Sequence, residues 1–487
     1  MKKPKATPKA GGLSFERMAI GLLFVALVFR ALLMPAQSDT FWLLRDGLQI
    51  WRTHEIPRFD SYSFTAAGAP YTDHEWLSEV LLAFGHRWGG MPGMELVAAA
   101  AIVGALMLVY RLMVGPLLTR FVILAATLSL SSCVWALRPM VFTLFCVGLL
   151  AWLLVRERYR YVPPLFLLWA NAHGGVVLGG VLLAAAAATA LVRWRVRGEA
   201  EDRRRLLALA VVLPLAGVAT LLTPLGRHLF GYVIETAGRG HALQITEWDP
   251  TLPTDVLGAL FWVVALGFWV TLVLRRRALA TATWGDWVLV AGAVLLFPIA
   301  VRSLRNVSPF LMLAGPAASR LLGPTFRFRL SRANTTARPA SPDNPALNLT
   351  LLVGATVAAL AVLAAGWRSG AGPLDWHPVS GEALGALRGC SGPLYNDYES
   401  GGYLIWFAPE RPVFVDNRQD PYPLPFLLEH IAVERGQQPY RSLFDRWGIR
   451  CAFLPAGGKI TKRLVTDGWT THFRDDRWAV LAAPPAK

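Results

Sequence analysis

The chain has 487 residues, 54% of them hydrophobic and only 16% charged, with a mean hydropathy of +0.42. This composition excludes an ordinary soluble domain and predicts a protein that crosses a membrane many times. The formal net charge of +16 does not indicate nucleic-acid binding, because the basic residues form short clusters between apolar runs rather than a continuous face or an RNA-binding motif.

Residues 1–17 are rich in lysine, and no small-residue cleavage site follows the first apolar run. We therefore expect an uncleaved signal anchor with its N-terminus in the cytoplasm. A membrane-spanning helix needs roughly 20 apolar residues, and about eleven runs qualify. They are 18–36, 94–114, 121–137, 141–155, 162–172, 174–192, 206–225, 255–274, 284–301, 307–323 and 347–367.

With residue 1 in the cytoplasm, every dense basic cluster falls on the cytoplasmic side, as the positive-inside rule requires. These clusters are Arg156/Arg158/Arg160, Arg193/Arg195/Arg197 with Arg203–Arg205, Arg275–Arg277, and Arg327/Arg329/Arg332/Arg338. An odd number of spans places the tail on the opposite side. The chain is thus expected to be a multi-pass protein of a bacterial inner membrane, with a periplasmic tail.

The predicted domains are a transmembrane domain over 18–323, a cytoplasmic linker over 324–346, a last span over 347–367 and a soluble α/β domain over 368–487. The loop 37–93 is too long for a simple connection and contains two amphipathic pieces suited to the membrane interface. In the tail, four short runs (PLYN, RPVFVD, RCAFLPA and WAVLAAP) are typical of strands, and three (GEALGALRG, PFLLEHIAVERG and RSLFDRWG) are typical of helices. Of the four cysteines, only Cys390 and Cys451 are candidates to pair.

Asp39 is the first candidate catalytic residue. A carboxylate at the outer end of a membrane helix could take a proton from an acceptor hydroxyl while the lipid surface presents a substrate. The alternative is that Asp39 caps the helix that starts near Phe41.

A second polar group, Asp73, His74 and Glu75, stands before the helix that returns to the membrane. Buried acidic groups near lipid are costly unless they are used. These residues could act in catalysis or bind a phosphate or a sugar, and Asp39, Asp73 and His74 could bind a divalent metal ion.

The external loop resembles that of the GT-C superfamily of polytopic glycosyltransferases, in particular bacterial proteins related to protein mannosyltransferases and aminoarabinose transferases. The resemblance rests on Asp39 just outside the first span, on the spaced residues from Trp42 to Asp60, and on the turn YTDHEW before the second span. It implies a GT-C-like fold, a polyprenyl-phosphate sugar as co-substrate, and a catalytic role for the first external carboxylate, here Asp39.

Five residues of later outer loops could face the same cavity: Arg138, Asn171, His173, Glu247 and Trp248. An arginine at headgroup depth suits a lipid phosphate, although Arg138 could equally snorkel to the interface. His173 stands beside two glycines that leave room for a ligand, but a lone histidine is often structural. Glu247 and Trp248 suit a sugar ring, or else form a turn with an interfacial tryptophan.

Arg302 and Arg305 lie at the outer end of the ninth span, where positive charge opposes the orientation rule. Spaced three residues apart, they would share a face if the segment is helical, and they are the strongest candidates for the lipid phosphate. In the tail, Asp397, Asp416 and Arg418 are expected at strand ends or turns, where such residues can bind a ligand, although their surroundings are more typical of structural turns. The absence of a Gly-rich phosphate motif in the sequence argues against a nucleotide-sugar donor.

The leading hypothesis is an inverting glycosyltransferase that uses a polyprenyl-phosphate-linked sugar, with Asp39 as general base. Its partners would be membrane lipid, the lipid-linked sugar, and a glycan, lipid or protein acceptor. The alternative is a non-catalytic component of envelope glycan assembly or export that binds a lipid-linked sugar or acts as a scaffold. Secondary transport is disfavoured because no internal repeat is visible.

Overall fold

A computed structural model describes residues 12–323 and 343–484. Most of the first basic segment and most of the predicted linker, residues 324–342, lie outside the described residues. The first part of the chain is a helical bundle. Its helices are α1 Phe15–Ala31, α2 Ser38–Thr53, α3 Trp76–Leu112, α4 Leu117–Ser131, α5 Met140–Val155, α6 Val162–Ala172, α7 Val176–Arg197, α8 Ala200–Thr220, α9 Leu229–Ala242, α10 Val256–Leu274, α11 Trp284–Arg302, α12 Val307–Leu322 and α13 Pro345–Ser369.

Each of the eleven predicted apolar runs falls on one of these helices. Within the described residues, six helices are long and apolar enough to cross a membrane, namely α3, α4 with the turn after it, α7, α10, α11 and α13. Helix α5 is equally apolar but has only 16 residues, and α6 has 11. The number of spans therefore stays a prediction, while the polytopic helical architecture agrees with the sequence.

The helix ends have local causes. Asp255 accepts the backbone N–H of Gly258 at 2.7 Å and caps α10, while Thr283 and Asp286 form a capping box at the start of α11. In α3, Gly89 and Gly90 leave the helical conformation, with Gly90 at φ +61°, and divide the helix into an outer segment and a membrane segment. Both amphipathic pieces of the external loop are thus helical: one is α2, and the other is the outer segment of α3.

The tail folds into a small α/β domain around one four-stranded sheet, in the order β1-β2-β4-β3. Strand β1 is parallel to β2, whereas β4 is antiparallel to both β2 and β3. Cys390 and Cys451 form a disulfide bond beside the sheet. The elements are α14 Gly381–Gly389, β1 Leu394–Asn396, α15 Ser400–Phe407, α16 Leu424–Glu434, α17 Arg441–Trp447, β2 Cys451–Pro455, α18 Lys459–Thr466, β3 Thr470–Arg474 and β4 Trp478–Ala482.

Three of the four predicted strands and all three predicted helices of the tail are present. The prediction of a strand at RPVFVD is wrong, because this buried extended segment pairs only through one isolated bridge between Val413 and Ser63. That bridge joins the tail to the external loop. Helix α15 packs on α2 closely: a Cβ atom on Gly402 would lie 2.4 Å from the backbone oxygen of Ser38. The domain therefore lies directly on the segment that carries Asp39.

Candidate active site

A cavity of about 260 Å³ lies at the end of the bundle opposite the arginines at the C-terminal ends of α5, α7 and α10. Three helices begin there: α5 after Arg138 and Pro139, α7 after Gly174 and Gly175, and α12 after Arg305 and Asn306. Their N-termini direct the positive ends of three helix dipoles toward it. Helix α2, the start of α3 and the tail close the remaining sides. Eight residues predicted from the sequence line the cavity: Asp39, His74, Glu75, Arg138, His173, Glu247, Trp248 and Arg305.

Asp39 lies in the first turn of α2 but is not its N-cap, so that alternative is wrong. The helix starts at Ser38, three residues before Phe41, with Gln37 as N-cap, and the Gln37 backbone N–H donates to Thr40 Oγ1 at 2.9 Å. The Asp39 side chain is free to reach the cavity, where about 29% of it is exposed. Desolvation raises the pKa of Asp39 to about 6, and nearby Arg138 limits the rise.

Arg138 lies between two carboxylates. Its Nη1 is 3.7 Å from Asp39 Oδ2, and its Nη2 pairs with Glu247. With only 15% of its side chain exposed, Arg138 does not snorkel toward water. Arg305 holds the other side of Glu247, with Nη1 3.5 Å from Oε1. Burial would raise the pKa of Glu247, but Arg305 and Arg138 outweigh it and lower that pKa to about 2.

Two histidines converge on Glu75. His74 Nε2 is 3.2 Å and His173 Nε2 is 3.4 Å from Glu75 Oε1. Burial would raise the pKa of Glu75, but the neighbouring His74 and His173 lower it to about 2. Burial opposes the protonation of His74 as well, yet Glu75 raises the pKa of His74 above its ordinary value. Glu75 thus favours the protonated form of His74 at the cavity wall.

His173 has a different role from His74. Its Nδ1 accepts the Gly175 backbone N–H at 3.0 Å and contacts Thr143 Oγ1 at 2.8 Å, so the neutral ring carries its proton on Nε2, toward Glu75. Burial lowers the pKa of His173 to about 4. A side chain at Gly175 would clash with Thr143 and His173, which explains the glycine. His173 is therefore a neutral donor that orients Glu75.

The two faces of the Trp248 ring are not both open to a sugar ring. The Arg305 guanidinium lies 4.4 Å from its ring centroid, and the ring packs against Gly240, where a Cβ atom would be 2.5 Å away. Trp248 therefore holds Arg305 in place by a cation–π contact. The role of Trp248 in sugar binding stays a prediction.

Three predicted residues lie outside the lining. Asn171 is buried below it, where its Oδ1 accepts the Trp76 indole N–H at 2.8 Å and fastens α6 to the start of α3. Asp73 is buried in the turn, and its Oδ1 accepts the Glu75 backbone N–H at 3.0 Å. Arg302 is exposed, and the prediction that it shares a helix face with Arg305 is wrong: α11 ends at Arg302, and Ser303 is extended.

The sequence did not reveal two lining residues from the tail, Asn417 and Gln419, whereas Arg418, which it did single out, also lines the cavity. The Asn417 side-chain N–H donates to Asp39, and its Oδ1 accepts the Trp42 indole N–H at 3.0 Å. Arg418 is buried between Asp416 and Asp60 of the external loop. In the sequence, only the short polar stretch Asp416-Asn417-Arg418 after an apolar run pointed to this part of the site. The structural role expected for Arg418 agrees with its buried ion pairs.

Among the described residues, no group of three or more His, Cys, Asp or Glu side chains is arranged to hold a metal ion. The candidate set of Asp39, Asp73 and His74 in particular does not form, because Asp73 is buried away from the cavity that the other two line.

The bundle, the external helices and the tail domain together define a polytopic membrane protein with the GT-C fold of membrane glycosyltransferases. The solved structures with this likeness include the archaeal oligosaccharyltransferase AglB from Archaeoglobus fulgidus, in complex with an inhibitory peptide and a dolichol-phosphate. It aligns at 12% sequence identity and a TM-score of 0.51, over 90% of this chain and 69% of AglB.

ArnT from Cupriavidus metallidurans aligns over 95% of this chain and 97% of its own in the apo state, at 15% identity and a TM-score of 0.46. Bound to undecaprenyl phosphate, it aligns over 96% and 97%, at 15% identity and a TM-score of 0.47. No protein-family model and no curated protein sequence matches the chain.

Proposed function

We propose that the protein is a glycosyltransferase that moves a sugar from a polyprenyl-phosphate carrier to an acceptor hydroxyl on the non-cytoplasmic face of the membrane. The observation that carries the proposal is the position of Asp39. It is a carboxylate with a pKa of about 6, next to Arg138, in a cavity where three membrane helices begin. AglB, whose fold the chain shares, was solved with a dolichol-phosphate.

In this reaction Asp39 removes the proton of the acceptor hydroxyl. The oxygen forms a bond to the anomeric carbon from the side opposite the phosphate, and the carbon–oxygen bond to the phosphate breaks with inversion of configuration. The polyprenyl phosphate leaves with the electron pair and one additional negative charge. General bases act in this way when they lie within hydrogen-bond reach of the attacking group.

The cations of the cavity suit the leaving phosphate. Arg305 and Arg138 line it together with His74, whose protonation Glu75 favours, and the N-termini of α5, α7 and α12 favour an anion at the same place. The phosphate would compete with Glu247 for the two arginines. Charge-assisted hydrogen bonds of this kind strengthen as negative charge develops on the leaving group.

The apolar part of the lining suits a prenyl chain. Val177 and Leu178 belong to the first turn of α7, and Val233 and Ala237 of α9 line the same cavity. A lipid-linked substrate needs such a change from polar to apolar lining within one cavity, because its phosphate is hydrated while its tail is not.

The test of Asp39 uses the full-length protein in nanodiscs with undecaprenyl-phosphate hexoses and a membrane extract as the source of acceptor. Asp39→Asn should lower the release of undecaprenyl phosphate about 10²–10⁴-fold, the usual contribution of a general base. Glu55→Gln, an exposed carboxyl group beyond the far end of α2, is the matched control. Full transfer by Asp39→Asn would refute the assigned role.

The test of the phosphate site compares two arginines three residues apart. Arg305→Gln should weaken undecaprenyl phosphate binding about 10- to 100-fold, since a hydrogen bond to a charged group contributes roughly 1.5–3 kcal/mol. Arg302→Gln should bind the lipid normally, because Arg302 is exposed outside the cavity. Equal losses in both variants would move the phosphate site toward the outer end of α11.

The non-catalytic alternative predicts normal envelope glycans in the Asp39→Asn variant and defects only on deletion of 368–487. The contact of Asn417 with Asp39 favours the enzyme, because a scaffold domain has no need to reach a cavity carboxylate.

A further inference from the structure

A second cavity, of about 620 Å³, lies on the other side of Asp39. The two cavities have a common wall, formed by Asp39, Arg138, Glu247, Asn417 and Gln419. Beyond this wall the second cavity is lined mainly by the tail domain and the outer loops of the bundle. The reacting carboxylate is therefore accessible from both sides.

Three carboxylates of the tail line the second cavity: Asp397, Glu399 and Glu434. Among the described residues, none of them forms an ion pair with an arginine or lysine. Glu434 Oε1 accepts the Tyr398 backbone N–H at 2.8 Å and lies 3.4 Å from His430 Nε2. The group thus places three carboxyl groups on one wall of the cavity, none of them paired with an arginine or lysine among the described residues.

The arginines that line this cavity already have hydrogen-bond partners within the protein. Arg138 pairs with Glu247 and Asp39. Arg30 donates to the backbone oxygens of Leu33 and Ser132, at 3.0 and 2.8 Å. Arg435 donates to the Gln244 side chain and to the backbone oxygen of Leu243. The guanidinium groups that line the cavity are therefore held by contacts within the protein, although only Arg138 is paired with carboxylates.

Two buried hydrogen-bond acceptors in this cavity have no partner. Asp397 Oδ1 and Gln419 Oε1 belong to side chains that are only 8% exposed, and neither atom accepts a hydrogen bond within the described residues. Unpaired buried acceptors are costly, and a ligand with N–H or O–H groups would satisfy them. Burial and the nearby Glu434 raise the pKa of Asp397 to about 7, a repulsion that a bound cation would relieve.

On the basis of the proposed function, we infer that the second cavity binds the acceptor, and that the acceptor is a saccharide unit carrying hydroxyl groups and a free ammonium group rather than a phosphate. Its ammonium group lies against Asp397, Glu399 and Glu434, and its attacking hydroxyl faces Asp39. The unpaired oxygens of Asp397 and Gln419 accept hydrogen bonds from it. A phosphorylated acceptor would meet three carboxylates and is rejected.

The test measures binding of three small probes to the full-length protein in nanodiscs by saturation-transfer NMR: methyl glucosaminide, methyl glucoside and glucose 6-phosphate. The aminosugar should bind at least tenfold more tightly than the phosphate, with the neutral glycoside between them. Glu399→Gln and Glu434→Gln should each reduce the preference several-fold. Glu410→Gln, an exposed carboxyl group of the same domain, should leave it unchanged.

Tighter binding of the phosphate, or an unchanged preference in both Gln variants, would overturn the inference. Glu399 is exposed, so its variant should fold even if Glu434→Gln does not. Undecaprenyl phosphate binding, measured on the same samples, separates the two proposals. Lipid binding without the sugar preference refutes the acceptor class alone, whereas sugar binding without any lipid binding refutes the transferase and with it the acceptor role.

Discussion

At the scale of residues, Asp39 depends on a partner from outside the bundle. Asn417 donates to Asp39, and its amide orientation is fixed because its oxygen accepts from Trp42. Arg138 opposes the effect of desolvation on the pKa of Asp39. A hydrogen bond to the ionised form of a carboxyl group also lowers its pKa, so we expect the Asn417 contact to act in the same direction. Asn417 is thus a positioning residue for the proposed base.

This arrangement predicts the pH dependence of transfer. Because Asp39 must be ionised to accept a proton, kcat/KM should rise with pH through about 6. Asn417→Leu should raise the pKa of Asp39 and move this limb about one pH unit upward, the equivalent of one lost hydrogen bond to a charged group. A pH–rate profile with undecaprenyl-phosphate hexose measures it, and Gln438→Leu, an exposed change in the same domain, is the control. If kcat falls but this limb of the pH–rate profile does not shift, Asn417 has only a structural role.

Residue types and outer-loop positions were enough to predict most of the ionisable residues of the cavity lining, because charged groups next to lipid are seldom without a role. Asn417 could not be predicted, since 378 residues separate it from Asp39. Arg302 was misjudged for a local reason: the extended Ser303 breaks the helical spacing on which the pairing with Arg305 depended.

At the scale of elements, the contact of α15 with α2 brings the tail to the cavity. Hydropathy located the bundle helices well. It did not identify α15, which has the sequence SGGYLIWF, as a helix, because its two glycines are typical of turns. The structure explains them. A Cβ atom on Gly401 would lie 2.1 Å from the backbone oxygen of Val415, and Gly402 meets Ser38 in the same way. Strand β3, which is largely exposed, lacks the apolar pattern that revealed the other strands.

Gly402→Ala should therefore displace α15 from α2 and with it the contact between Asn417 and Asp39. We expect transfer to fall tenfold or more, and the free energy of unfolding to fall by about 1–3 kcal/mol, as in overpacked cores. Gly385→Ala is the matched control: it lies in α14 with open space around its Cβ position, and should be neutral or stabilising by about 0.5–1 kcal/mol. Thermal unfolding and transfer assays on both variants measure this, and equal behaviour of the two would contradict it.

At the scale of the whole molecule, Arg418 joins the tail to the external loop. It is 6% exposed and pairs with Asp416 of its own domain and Asp60 of the loop. Arg418→Met would leave two buried carboxylates without a cation and should cost about 3–5 kcal/mol of unfolding free energy. Arg446→Met, which breaks an exposed pair with Glu429, should cost about 0–1 kcal/mol. Denaturant unfolding in detergent compares them, and similar costs would show that Arg418 does not hold the domains together.

The disulfide between Cys390 and Cys451 bears on the orientation of the chain. Disulfides persist in oxidising compartments, so a periplasmic tail should contain this bond in cells. Maleimide labelling of the denatured protein should modify both residues only after reduction. Replacing both cysteines by serine should lower the stability of the tail by about 4 kcal/mol, the value for a loop of 61 residues. Two thiols that react without reduction would contradict a periplasmic tail.

The distance along the chain between Asp39 and Asn417 also matters for biosynthesis. The carboxylate is made near the beginning of translation, whereas the amide that holds it is made 378 residues later, after every helix of the bundle. A nascent chain therefore inserts in the membrane before Asp39 has its contact with Asn417, and the cavity is completed only when the last domain folds on α2. A chain truncated before Asn417 would lack the side-chain amide that orients Asp39.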